Sequence, residues 1–153
     1  MENLNRVYES ISYISKSDAE SLLKVPALTY ECFGYYNAIE HLILRLTKYL
    51  KIPTPSGAFS HKETLINFND LVRILNISAD QSTLNTVLEL MAFRHVATKI
   101  YGFLIDDDKL EVVVDRIKNE HENISELVRQ VLEAVVNKHD RGFGVGQQQP
   151  VEK

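Results

Sequence analysis

Phe93-Arg94-His95-Val96-Ala97-Thr98-Lys99-Ile100-Tyr101-Gly102-Phe103-Leu104-Ile105-Asp106 is the stretch on which the reading of this chain turns. The residues before it and after it read as amphipathic helix. Upstream, Leu84, Leu88 and Met91 recur with a parallel row through Val87, which is the three-and-four rhythm of a helix with one buried face. Continued, that stripe lands on Arg94, His95 and Thr98. A buried face that turns polar for one turn needs a reason, because an unpaired buried charge is costly. If the helix runs on, Arg94 and Tyr101 lie on one side, and His95 and Lys99 stack on an adjacent side. Ordinary roles also fit. An arginine near a helix end snorkels, stem on the core and head in water. A lysine near a helix C-terminus complements the dipole.

Working outward, the N-terminal residues 2–16 carry Leu4, Val7, Ile11 and Ile14 at helical spacing. Ser17-Asp18-Ala19-Glu20 has the capping-box pattern, so a short helical piece through Leu22 and Leu23 is expected, with Pro26 stopping or restarting the chain. A second main helix is expected from about Pro26 to Lys51. Its wide stripe is Leu28, Cys32, Tyr35, Ile39, Leu42, Leu46 and Leu50, with Tyr36 and Ile43 alongside. Pro53 and Pro55 end it, and 52–58 is the clearest loop. Ser60-His61-Lys62-Glu63 is a second capping box, opening a helix with Leu65, Phe68, Leu71, Val72 and Leu75; His61 in its first turn reads as solvated. Ser78-Ala79-Asp80-Gln81 is a third cap, opening the helix that leads into Arg94.

A break is expected after Gly102. Asp106, Asp107 and Asp108 read as an N-cap and acidic first turn rather than a metal site, since three consecutive residues rarely supply converging oxygens. The last helical region spans about Asp107 to Lys138, with Leu110, Val113, Val114, Ile117, Ile124, Leu127, Val131 and Val135 as its stripe. Lys118 to Asn123 is all polar, which suggests a kink, and Glu120-His121-Glu122 reads as a solvated face. From Arg141 glycines, glutamines and Pro150 dominate, which reads as a disordered tail. No strand pattern or internal repeat survives. The expectation is an all-α fold, an up-and-down bundle of four to five helices over residues 1–139, with a tail over 140–153.

Composition bounds the function. The chain has 153 residues, 44% apolar and 25% charged, as in an ordinary one-domain globule. A net charge of −4 means that any polyanion contact must come from a local basic patch. The single Cys32 excludes an internal disulfide and reads as a small core side chain. No apolar run approaches membrane-spanning length and the N-terminus is unlike a signal peptide, so the expected compartment is the cytoplasm. HExxH, paired-cysteine, P-loop and nucleophile-elbow patterns are all missing, and nothing calls for a metal or cofactor.

The motif in its helical setting resembles the HEPN superfamily, and within it the HepT-like branch. The pattern there is Arg, a polar residue, three more, His, any residue, Tyr. The residues here are Arg94, His95, Val96-Ala97-Thr98, Lys99, Ile100 and Tyr101. Gly102, Ile105-Asp106, the long helix before the proline-rich loop and the apolar C-terminal helix fit as well. The resemblance implies an RNA-cleaving toxin of a toxin–antitoxin pair, a metal-independent endoribonuclease in which a ribose 2′-hydroxyl attacks the neighbouring phosphate. It implies that Arg94 binds the phosphate, with His95 and Lys99 sharing proton transfer and charge stabilisation. Tyr101 is then the residue that a nucleotidyltransferase antitoxin modifies with AMP, and two copies form a homodimer with their motifs facing. RNA, tRNA among the candidates, is the implied substrate. One departure stands out: the histidine position holds Lys99, normally protonated and a poor base near neutral pH. The alternatives are a catalytically degenerate HEPN module that docks a nucleotidyltransferase or a nucleotide, and a plain helical interaction domain whose Arg94 and Lys99 are surface charges.

Overall fold

The computed structural model describes residues 1–99 and 105–142. Five helices account for nearly all of it: α1 Glu2–Lys16, α2 Ser21–Tyr49, α3 Ser60–Ile74, α4 Gln81–Ala97 and α5 Asp107–Gly142. The class is all-α, with no strand among the described residues, and no described helix is long and apolar enough to cross a membrane. The expected break after Gly102 and most of the expected tail fall outside the described residues.

α2 is the axis of the bundle, since all four other helices pack against it. Its wide stripe explains why. Leu28, Cys32, Tyr35, Tyr36, Ile39, Ile43 and Leu46 are all buried on a band about 100° wide, buried Ala38 and Glu40 extend it on either side, and Leu42 and Leu50 sit partly covered. Burial pushes the Cys32 thiol up to about 12, so it stays protonated as a small core side chain. α1 closes one side through Leu4 and Ile11, and α5 another through Leu110, Val114, Ile117, Ile124, Leu127, Val131 and Val135.

Several local expectations are corrected. Ser17 is not a helix start: its N–H and its hydroxyl both bond to the Ile14 carbonyl, closing α1. α2 starts at Ser21, and Pro26 lies inside it rather than at a break. The turn ahead of the proline is held by Leu23 and Lys24 N–H bonds to the Glu20 carbonyl, because Leu22 and Leu23 themselves stay exposed. The Ser60 box is not formed either; α3 has no side-chain cap bond, although the helix does begin there. Asp106 does cap, accepting the Asp108 N–H at 3.0 Å. On α4 the buried row is Thr83, Thr86, Val87 and Leu90, while Leu88 faces out.

α5 runs without a break through Lys118 to Asn123, and of the polar segment Asn119, Glu122 and Asn123 are exposed while His121 turns into the core. His121 is buried. It stacks on Tyr8 of α1 with ring centroids 3.7 Å apart and planes 2° from parallel. Its Nδ1 is hydrogen-bonded with the Tyr35 hydroxyl at 2.9 Å. Glu120 accepts from Ser82, Thr83 and Asn123, and those hydrogen bonds, Ser82's foremost, hold its carboxyl below the usual range.

Burial lowers the His121 pKa, against the raising effect of Glu122. The native state therefore keeps a neutral imidazole where the unfolded chain, with a value of about 6.5, takes up a proton. Stability is complete above that value and falls as the pH drops below it, because only the unfolded state gains the proton. Thermal melts should fall more steeply between neutral and mildly acidic pH for wild type than for His121→Phe, which keeps the stack. Parallel curves would assign the acid sensitivity to other groups.

Candidate functional site

The site is built at the junction of α2, α3 and α4. On α2, Phe33, Asn37 and Glu40 follow at four and three residues, so they share one side of the helix. α3 starts at Ser60, which sets His61 in its first turn facing that side. On α4, Arg94 comes four residues after buried Leu90, so the inward face of the helix ends on a guanidinium.

These groups form one chain of hydrogen bonds. Arg94 Nε donates to Asn37 Oδ1 at 3.1 Å, and Nη1 donates to His61 Nε2 at 2.9 Å. A guanidinium has only donors, so His61 Nε2 must be the acceptor and its ring proton sits on Nδ1. That N–H donates to Glu40 Oε1, which also takes the Tyr36 hydroxyl at 3.4 Å. Burial, followed by the Glu40 charge and hydrogen bond, raises the Tyr36 pKa despite Arg94, so the phenol remains a donor. The Glu40 side chain is 8% exposed, and a buried carboxylate needs a counter-charge. Arg94 supplies it across a neutral imidazole. Beneath, the guanidinium carbon lies 5.4 Å from the Phe33 ring centre, a cation–π contact.

The outer side is open. His61, Arg94 and His95 line a groove of about 390 Å³ walled by apolar Phe59, Met91 and Val96. Two hydrogen bonds use two of the five guanidinium N–H groups; among the described residues nothing takes the other three. The arrangement suits an anion that enters the groove and meets a fixed, partly neutralised fork. No group of three or more His, Cys, Asp or Glu side chains poised for a metal occurs among the described residues.

The motif residues separate. Arg94 is half-buried and bonded inward. His95 is exposed at the edge of the same groove. Lys99 is exposed and lies beyond the helix, which closes with Thr98 N–H to Arg94 O and Lys99 N–H to Val96 O. The expected stack of His95 on Lys99 needs another helical turn and is not formed. Tyr101 lies outside the described residues. Sequence reading missed Asn37 and Glu40 and set His61 in solvent. In fact His61 is bonded through both ring nitrogens. Its signal was indirect: Glu40 sits amid the apolar stripe of α2, an acid on a buried face that needs a base.

An all-helical bundle with an arginine-centred hydrogen-bond network beside an open groove defines the general class. Within it, a family model described as HepT-like protein matches residues 27–135, from the second turn of α2 through most of α5. That span holds every residue of the site, and the chain belongs to the HepT-like family of the HEPN superfamily. Membership implies a toxin–antitoxin context. Neither a curated protein nor a solved structure matches the chain.

Proposed function

We propose that the protein is the RNA-cleaving toxin of a toxin–antitoxin pair. It would be a metal-independent endoribonuclease of cytoplasmic RNA, silenced when a nucleotidyltransferase antitoxin adds AMP to Tyr101. The observation that carries this reading is the Arg94 guanidinium, held from behind by Asn37 and His61 and open in front to a groove. A phosphate diester in that groove would take the remaining donors, and the charge that builds on its oxygens during 2′-hydroxyl attack would be stabilised there. His95, exposed at the edge of the groove, and Lys99, exposed just beyond the end of α4, would share in charge stabilisation and proton transfer around the phosphate. Exposed Phe59 and Val96 flank the groove, and apolar surface of that kind beside a polar site suits a two-fold seam between two copies. AMP on Tyr101 would bring an anionic phosphate against Arg94 and repel RNA.

The purified protein should cleave single-stranded RNA in the presence of EDTA, and its expression alone should arrest growth. Co-expression with a small nucleotidyltransferase should raise the intact mass by whole AMP units and abolish cleavage. Tyr101→Phe should block the mass increase and leave the toxin active in the presence of the antitoxin. RNA that stays intact in EDTA, with growth unaffected, would end the nuclease reading.

Lys99 at the family's histidine position favours a second reading, a degenerate module that binds a nucleotidyltransferase without cutting RNA. Lys99→His separates the two. RNA cleavage that appears only in that variant makes the natural protein a binder.

A further inference from the structure

We infer that His61, which lies outside the motif spanning 94–101, is the base that takes the 2′-hydroxyl proton at this site, with Glu40 as its positioning residue. The inference rests on the ribonuclease reading and answers the question that Lys99 raises. The chemistry wants a group that exchanges protons near neutral pH, and the motif supplies an exposed ammonium in its place. His61 supplies an imidazole on the opposite wall of the same groove. Its Nδ1–H is fixed by a buried carboxylate, which sets the tautomer, aims Nε2 and stabilises the imidazolium once it forms.

At rest Nε2 is occupied, because it accepts from Arg94 Nη1 at 2.9 Å. An anionic phosphate oxygen is a stronger acceptor than a neutral ring nitrogen. A bound phosphate diester therefore draws Nη1 away and uncovers the Nε2 lone pair beside the nucleophile. Substrate binding unmasks the base. His61 Nε2 then takes the proton of the 2′-hydroxyl. The 2′-oxygen bonds to phosphorus as the bond from phosphorus to the 5′-oxygen breaks. The departing 5′-oxygen takes a proton from water in the open groove, and the hydroxide so formed removes the proton from His61. The products are a 2′,3′-cyclic phosphate and a 5′-hydroxyl. Groups that face His61 and shape its titration are Glu40 and Tyr36 from α2 and Arg94 and His95 from α4, with Lys62 beside it on α3.

The test is single-turnover cleavage of a labelled single-stranded RNA in EDTA by the full chain. His61→Ala should lower the rate roughly a hundredfold, the usual contribution of a positioned acid or base. The acid limb of the wild-type pH–rate profile should vanish, and added free imidazole should restore part of the rate. Should His61→Ala not fold, His61→Asn, which keeps a donor toward Glu40, is read by its rate and pH profile. Wild-type cleavage with undiminished rates in the His61 variants overturns this inference and leaves the nuclease reading standing. A lower rate with the acid limb intact and no imidazole rescue also overturns it, since His61 would then only brace Arg94. Absence of cleavage by the wild-type protein sinks both.

Discussion

Arg94→Ala is expected to lower RNA cleavage by roughly a thousandfold, near the upper end of what the loss of one preorganised donor group to a developing anion costs. The structure gives a reason to expect the upper end. The guanidinium is anchored by Asn37 and the Phe33 ring, holds that persist when Nη1 turns from His61 to the phosphate, so it meets the phosphate with little reorganisation. Alanine also strips the buried Glu40 carboxylate of its counter-charge, so part of any loss would be structural. Arg94→Lys separates the two effects. It keeps a positive charge opposite Glu40, so its melting temperature should stay close to that of the wild type. One ammonium cannot reach Asn37 and His61 in the fork geometry and still present paired donors to phosphate, so cleavage should remain far below the wild-type rate. Single-turnover rates alongside thermal melts make the comparison. A lysine variant that cleaves as fast as the wild type would show that a point charge suffices, and the argued role of the fork would be wrong.

Where burial follows side-chain type, the sequence was a sound guide. The stripes of α2 and α5 are built of Leu, Ile, Val and aromatic residues, and their spacing alone marks the buried faces. It failed where a polar residue takes a core position. His121 comes four residues after Ile117 and three before Ile124, so the periodicity already put it on the stripe; its type argued for solvent, and Tyr8 and Tyr35 on other helices overrule that. On α4 the threonines at 83 and 86 turn inward while Leu88 turns out, because the Thr83 hydroxyl finds Glu120 across the helix pair. The site divides the same way. Arg94 was legible as a charge on an apolar stripe. His61 and Glu40 lie far from it in sequence, and only the packing of α3 and α4 on α2 joins them. Nothing in the local pattern of 60–63 separates a capping turn from a histidine held between an acid and an arginine.

The largest stability effect is expected at Tyr35. Its side chain is fully buried in the middle of α2, with the ring 5.9 Å from that of His121 and the hydroxyl bonded to it. Burial raises the phenol's pKa, with Tyr8 adding to the shift, so the hydroxyl keeps its proton. Tyr35→Phe removes the hydroxyl and leaves the Nδ1 of a buried imidazole without this partner, a loss of about 1–3 kcal/mol. Tyr35→Ala adds a cavity the size of a ring, and the total should reach about 3–5 kcal/mol, as for large aromatic truncations. At about 2–4 °C per kcal/mol for a chain of this length, the alanine variant should melt roughly 10 °C below wild type, with phenylalanine between them. Tyr36, next in sequence and about 100° further round α2, holds Glu40, and among the described residues Tyr35 has no bond to the Arg94 network, so the deficit should be one of stability alone. Below its melting temperature Tyr35→Phe should cleave RNA at the wild-type rate. A Tyr35→Ala protein that melts with the wild type would mean that α1, α2 and α5 do not close around this ring. A folded Tyr35→Phe that has lost activity would mean that the His121 layer and the Arg94 site are coupled through α2.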